Sequence, residues 1–334
     1  MLQHRECTVC INNDLNPTVT IGDDGVCNIC RDYMEHFDPN VLHNELQFLK
    51  KYIRAGEVDC MVGLSGGKDS TSMLIDVIEH GFHPVCFTLD LGYNRLSSDV
   101  LKNIMYITKE LGVDYEVINA RQYITEFDLS CFREMSHIYK RAVENRITTE
   151  EFTRLYTEGR KYYSTKDNTV FPFVRPCQIC RKIAIRAFYG EAIKRNINIV
   201  FLGINEWASK FESKYSAIRR LQPNKDYSEV YIVHMPYLLQ KKYQDVVDSF
   251  ASMPKLKSTI ETQVKTGGNS CQLAEICEPL AFKLMGFHLD SLRLSREVTV
   301  GFIDKITANA AVQNFKNTRP VKNVQELLTE CHIL

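Results

Sequence analysis

The stretch VDCMVGLSGGKDSTSMLIDVIEHG, residues 58–81, decides how the chain is read. Residues 58–64 form a short apolar run, the mark of a strand buried on both faces of a parallel sheet. Ser65, Gly66, Gly67, Lys68, Asp69 and Ser70 follow, and Met73, Leu74, Val77 and Ile78 then recur at helical spacing. A strand, a turn of small residues and a helix N-terminus in that order make an anion site. The glycines let backbone N–H groups close on an oxyanion, and the helix end adds donors and positive potential. Lys68 contributes a point charge, and Ser65 and Ser70 contribute hydroxyl donors. The G-x-x-x-x-G-K-[ST] spacing is absent, so this is not a Walker loop.

Outward from this unit the pattern alternates. Residues 39–54 read as a helix leading into the first strand, and 83–89 (HPVCFTL) as a second buried strand ending at Asp90. Residues 100–111 are helical and 114–118 (DYEVI) form a third strand. A βαβαβ start predicts an α/β fold with a doubly wound, mostly parallel sheet. In such a sheet Asp90 lies at the level of a nucleotide's base and ribose. Residues 119–174 interrupt the alternation with charged and aromatic helical stretches near 126–145 and 149–163. They read equally as a lid and as a helical elaboration, and Lys161, Tyr162 and Tyr163 as substrate contacts or surface.

Twelve cysteines accompany 41 basic and 41 acidic residues in a chain of 334. Balanced charge provides no field for nucleic acid or a membrane surface. No run approaches ~18 apolar residues and MLQHRECTVC has no apolar signal core, so a soluble, cytoplasmic protein is expected. There, cysteines serve metal or sulfur chemistry rather than disulfides. Cys7 and Cys10 form one C-x2-C and Cys27 and Cys30 another, with sixteen residues between the pairs. This is zinc-ribbon spacing, four thiolates for a structural Zn²⁺, with strand-like residues 18–21 and a 22–25 turn between the knuckles.

A third C-x2-C, Cys177 and Cys180, opens a helix after Pro176, and that helix feeds a strand at 197–202 ending in Gly203. Thiols at a helix N-terminus are expected to have lowered pKa values, suited to a metal, a cluster or redox sulfur chemistry. The helix start and Gly203 are both expected at the edge that carries the 65–70 loop. If the pair holds a cluster, the third ligand is Cys271, at a loop–helix junction after residues 267–270 (GGNS), or Cys277 inside that helix. Position favours Cys271. Cys60, Cys86 and Cys331 read as packing residues, and Cys131 is uninformative. Residues 204–240 follow the strand end and should meet an acceptor. Arg219 and Arg220 would hold an anion or lie on a solvated helix face, and Trp207 would stack on a ring or join the core. Residues 230–234 read as a further strand, and 243–334 as helical.

SGGKDS between a strand and a helix resembles the PP-loop of the ATP pyrophosphatases, which cleave ATP to AMP and pyrophosphate and leave an adenylate on the acceptor. The resemblance implies a HUP-like fold, with pyrophosphate on Ser65, Gly66, Gly67, Lys68, Asp69 and Ser70. Lys68 and Mg²⁺ would offset charge, Asp69 would orient one of them, and Asp90 and Gly203 would flank the nucleotide. The PP-loop with the later PC-x2-C and single Cys is similar to the cluster-dependent tRNA thiolation enzymes of that superfamily. This implies a [4Fe-4S] cluster on Cys177, Cys180 and Cys271, and a cysteine desulfurase or sulfide as sulfur donor. The N-terminal ribbon and residues 286–312 resemble instead the N-acetyl sugar amidotransferases, which draw ammonia from a glutaminase partner. Oxygen-to-sulfur exchange is the primary expectation, amidation the second, and a non-catalytic nucleotide sensor the third. The acceptor stays open among a tRNA, a sugar and a small metabolite, as does a homodimer. The segments so expected are a zinc ribbon over 1–38, an ATP-binding unit over 39–240 carrying the 119–174 insertion, and a helical region over 241–334.

Overall fold

Six strands among the described residues assemble into one sheet, in the order β3-β2-β1-β4-β8-β7. These are β1 (Cys60–Gly63), β2 (Pro84–Asp90), β3 (Asp114–Asn119), β4 (Ile199–Leu202), β7 (Ile218–Leu221) and β8 (Val230–His234). All neighbours pair in parallel except β7, an antiparallel edge strand on β8. The computed structural model describes residues 4–93, 98–164, 169–222, 226–250, 271–315 and 323–334.

The sheet is doubly wound because its strands bury both faces. Cys60, Val62, Cys86, Phe201 and Val233 point to one side, where Met73, Leu74 and Val77 of α3 (Lys68–Glu79) and Ile104 and Ile107 of α4 (Ser98–Leu111) meet them. Met61, Phe87, Ile118, Val200 and Ile232 point to the other, against Phe188 and Ala192 of α7 (Cys177–Lys194). This period-two division explains why β1 and β4 read as unbroken apolar runs. Chain order reverses between β1 and β4, a switch point that opens a crevice at the strands' carboxyl ends.

The 119–174 insertion is a packed elaboration. Its helices α5 (Glu126–Val143) and α6 (Thr149–Ser164) share a core with α10 (Gln272–Met285) and α13 (Val324–Glu330), centred on Phe132, Tyr139, Phe152 and Leu273. Tyr162 and Tyr163 pack against that core. Near the N-terminus, α1 (Asn28–His36) begins at the second cysteine knuckle, and α2 (Pro39–Lys50) follows under an Asp38 cap. Between the knuckles, the strand expected at 18–21 is reduced to a single bridge, Ile21 to Cys27. The ribbon packs on α11 (Ser291–Thr299) through Leu292 and Val298, and Ile11 reaches Leu294 and Ala308 of α12 (Lys305–Phe315). The helical expectation for 243–334 holds in the described parts, α9 (Tyr243–Asp248) included.

The 204–240 segment departs from expectation. Arg219 and Arg220 sit on strand β7, not on a helix face. Before it, β5 (Ser209–Phe211) and β6 (Lys214–Ser216) form a hairpin whose turn residues Glu212 and Ser213 have φ of 45° and 65°. Two positive φ values make a type I′ turn, which Glu-Ser does not advertise in sequence. Trp207 stacks on Tyr33 at 5.2 Å with Arg296 above it, so it serves packing.

Candidate functional site

The 65–70 loop leaves β1 at the switch point. Gly66 has φ 73°, and a β-carbon there would meet Val100 Cγ1 at 2.9 Å, so only glycine fits. Ser70 Oγ accepts from the Ser65 N–H at 3.1 Å and donates to the Gly67 carbonyl at 3.1 Å, while Ser65 Oγ accepts from the Gly67 N–H at 3.4 Å. Both hydroxyls thus tighten the loop, and α3 then begins at Lys68 with its first-turn N–H groups aimed past the turn. Gly203, at the end of β4, lies against the loop. A β-carbon there would come within 2.8 Å of Ser70 Cα.

Lys68 Nζ lies 2.6 and 2.7 Å from the two carboxylate oxygens of Asp69, and over the rings of Tyr243 at 5.3 Å and Phe302 at 5.7 Å. Asp90 accepts from the Gly92 N–H at 2.7 Å and closes the turn after β2. A cavity of about 410 Å³ opens beside the loop between the sheet edge and α7. Ser65, Ser70 and Gly203 form one end, Phe87, Leu89, Ile185, Phe188 and Ile204 form apolar walls, and Arg181, Arg219, His234 and Thr88, whose hydroxyl donates to the Leu64 carbonyl, supply further polar groups. An apolar slot continuous with an anion-binding loop suits a nucleotide.

On the same helix Cys177 stands one turn before Arg181 and Cys180 directly before it. Cys177 is exposed, and Cys180 and Cys271 are half-buried. The Gln272 N–H donates to the Tyr93 carbonyl at 3.3 Å, which brings the start of the Cys271 helix to the residue that contacts Cys180, and Cys180 and Cys271 pack against the same core. The Tyr93 hydroxyl lies 2.9 Å from Cys180 Sγ. Cys271 caps the start of α10, whereas Cys277 is fully buried among core residues beside Tyr139. The turn expected at 267–270 lies outside the described residues. The lowered thiol pKa expected at this helix start is not found. Crowding by protein pushes Cys177, Cys180 and Cys271 up, Cys271 to about 12, against the pull of Arg175 on Cys177. For the half-buried Cys180 and Cys271 lost solvation outweighs the helix dipole, and a metal or a bound cation would be needed to hold these sulfurs as thiolates.

The N-terminal cysteines are arranged otherwise. Cys7, Cys10, Cys27 and Cys30 are fully buried, with all four sulfurs within 4.8 Å of one another. Cys7 Sγ to Cys30 Sγ is 3.9 Å and Cys10 Sγ to Cys27 Sγ is 3.7 Å. Four thiolates about 2.3 Å from one ion stand about 3.8 Å apart, so the set fits a tetrahedral metal. The Cys27 N–H reaches Cys7 Sγ at 3.2 Å and the Asn12 N–H reaches Cys10 Sγ at 3.5 Å, the second-layer donors such a centre requires. Thr299 Oγ1 of α11 touches Cys30 Sγ at 3.2 Å, and Lys305 donates to the Cys7 carbonyl at 2.6 Å.

Sequence alone does not single out the charged groups of α11. Arg293 binds Asp290 at 2.6 to 3.0 Å and Glu297 at 2.7 Å, and Arg175 stands 3.8 Å from Asp290. Asn205 Nδ2 reaches Glu297 at 3.5 Å, and Glu206 pairs with Arg296 at 3.2 Å. Burial pushes Glu297 up to about 7; Arg293 opposes the shift and Asp69 adds to it. Spacings of three and four on a helix were legible in sequence, yet they look identical on a solvated face.

No family model matches the chain, and no curated protein matches it. Among solved structures it is similar to the U34-tRNA thiolase NcsA from Methanococcus maripaludis with its [4Fe-4S] cluster. Identity is 11%, the TM-score is 0.29, and the alignment covers 100% of this chain and 90% of that one. A superposition that loose carries no functional weight. Among the described residues no helix is long and apolar enough to cross a membrane.

Proposed function

We propose that this chain is an ATP-dependent enzyme that adenylates an acceptor and then replaces the activated oxygen with sulfur. The observation that carries this reading is the joining, on one helix, of a nucleotide slot at Arg181 to a thiol patch at Cys177 and Cys180. ATP would lie with adenosine in the slot and pyrophosphate on residues 65–70. The acceptor's carbonyl oxygen attacks the α-phosphorus, the bond to the β-phosphate breaks, and pyrophosphate leaves. The loop's N–H groups, with Lys68 and Mg²⁺, stabilise the charge that develops there. Asp69 orients Lys68, consistent with their ion pair.

Sulfur then adds to the adenylated carbon and AMP departs. Delivered as hydrosulfide the exchange is redox-neutral. Delivered from a persulfide on one cysteine, it closes a disulfide with the second thiol, which an external thiol must reduce. Cys177, Cys180 and Cys271 would hold a [4Fe-4S] cluster, which when bound keeps sulfur at the hydrosulfide level beside the slot. Tyr93 would donate to the Cys180 thiolate and Arg175 would offset the charge on Cys177. The buried N-terminal set would hold Zn²⁺ in a purely structural role.

The test is metal and acid-labile sulfide analysis of anaerobically purified protein, together with pyrophosphate release from ATP. One zinc with roughly four irons and four sulfides, and pyrophosphate release that falls ~10²-fold in Lys68→Ala, is the expected result. Zinc alone, with no sulfide after reconstitution, would sink sulfur transfer and shift the search to a glutaminase partner and an amidated sugar. Nucleotide binding without pyrophosphate release under any acceptor would leave a sensor.

A further inference from the structure

The slot beside the 65–70 loop carries more positive charge than the loop's anion needs. Arg181 comes from the second turn of α7 and Arg219 from edge strand β7, and both line the same cavity wall with His234. The sequence pairs Arg219 with Arg220, but alternation along the strand separates them. Arg220 points outward to Glu229, while Arg219 turns inward, and its partner across space is Arg181. The two guanidinium groups lie close enough that Arg181 holds the Arg219 pKa below its usual value, on top of the effect of burial.

Neither arginine has a carboxylate ion-pair partner among the described residues. Arg219 donates to the Ala208 carbonyl at 2.6 Å, and the nearest acid on its side, Glu206, is engaged by Arg296. His234 offers no negative charge. Its Nδ1–H donates to the Glu206 carbonyl at 2.7 Å, and burial together with the two arginines holds it neutral, with a pKa down to about 3. Tyr163 faces both arginines from the insertion. Glu206 acts on Arg219 only from its own pairing with Arg296, so the two like charges facing one cavity still repel each other, and the arrangement becomes favourable once an anion sits between them. A guanidinium fork leaves several N–H donors directed at such a group, in the geometry that suits phosphate or carboxylate.

We propose that Arg181 and Arg219 form a second anion subsite, separate from the 65–70 loop, which holds a phosphate or carboxylate group carried by the acceptor. The subsite rests on the nucleotide reading of the slot and adds the acceptor's class to it: an acidic molecule, anchored one helical turn from Cys177. It also explains the position of Arg181, a cation near a helix N-terminus where the dipole disfavours one.

The test uses the full chain and three probes: pyrophosphate, the non-cleavable nucleotide AMPCPP, and inorganic phosphate, with binding followed by calorimetry and phosphorus NMR. In wild type, phosphate should bind while pyrophosphate saturates the loop, and should still bind with AMPCPP present. Arg181→Gln and Arg219→Gln should weaken that phosphate at least ~10-fold while leaving pyrophosphate affinity unchanged. Arg220→Gln should change neither. If a glutamine variant does not fold, Arg181→Lys and Arg219→Lys replace it, and they should weaken phosphate by a smaller factor because the fork is lost. Phosphate binding that ignores the substitutions overturns the subsite. So does exclusion of phosphate by AMPCPP, since the pair would then grip the nucleotide's own α-phosphate. Loss of pyrophosphate binding in the arginine variants overturns it as well. A wild-type chain that binds phosphate at the arginines but neither pyrophosphate nor AMPCPP would instead remove the ATP reading and leave the subsite standing.

Discussion

Two cysteine groups built from the same C-x2-C spacing end in opposite states. The N-terminal group is sealed: its four cysteines are fully buried, three of the sulfurs take N–H donors from the backbone of Asn12, Cys27 and Cys30, and Cys30 Sγ meets the Thr299 hydroxyl. The second group is open, with Cys177 exposed, Cys180 and Cys271 half-buried, and a charged network and a nucleotide-sized slot beside it. The difference lies in what surrounds each knuckle. In the ribbon a second knuckle sits opposite and α11 covers it, whereas α7 faces a single cysteine delivered from about ninety positions further along the chain. A sealed thiolate set gives stability, and an open one gives access. Helix α11 ties the two regions together, since Leu292 and Thr299 touch the ribbon while Asp290 at its start faces Arg175, beside Cys177, at 3.8 Å.

The largest expected effect comes from opening the sealed group. Cys10→Ser should abolish metal binding at the ribbon and lower the melting temperature by on the order of 10 °C or more, because a metal held by four buried thiolates would contribute folding free energy. Metal content and a thermal scan check it, and a variant that keeps both metal and melting point would show that the buried set is only packing.

Next, Cys177→Ala and Cys271→Ala should each abolish iron and sulfide incorporation while keeping the ribbon metal. They should shift the melting temperature by no more than ~3 °C, since exposed and half-buried thiols contribute little packing. A large loss of stability in either would mean that the second group is structural like the first.

Glu297, on the helix between the two, makes stability depend on pH. Its carboxyl rises from 4.5 to about 7 on folding, so the folded chain binds the extra proton between those values. Its contribution, up to ~3 kcal/mol, is complete below that window and is lost as pH rises through about 7. Denaturant midpoints for wild type should therefore decline between pH 4.5 and about 7, and Glu297→Gln should flatten that decline. The smallest effect is expected for Tyr93→Phe, which removes one hydrogen bond to Cys180 at about 1 kcal/mol or less. Its signature should be a changed visible spectrum of the reconstituted protein rather than a changed melting point.

Much of this was legible from local pattern. Residues 58–70 announce strand, loop and helix because each step rests on neighbours in sequence: apolar run, glycines, helical period. The ribbon was legible for the same reason, two tight knuckles at a fixed separation. Strand β8 appears where 230–234 was read. What stayed hidden depends on contacts between distant segments. The hairpin at β5 and β6 turns on Glu-Ser, the opposite facing of Arg219 and Arg220 follows from their lying on a strand rather than a helix, and the raised Cys180 pKa follows burial that no helix position foretells.

By itself, then, the sequence determined a doubly wound sheet with a glycine turn leading from its first strand into a helix and a four-thiol knuckle pair, because backbone geometry and hydrophobic period are short-range properties. The tertiary structure alone decided that Arg181 rather than Arg220 lines one cavity with Arg219, that Cys271 packs on the same core as Cys180 while Cys277 is sealed inside it, and that Glu297 is buried with Lys68 acting on it. Those pairings arise where separate elements close on one another, and charge and solvation at such a junction are set by every group that packs there.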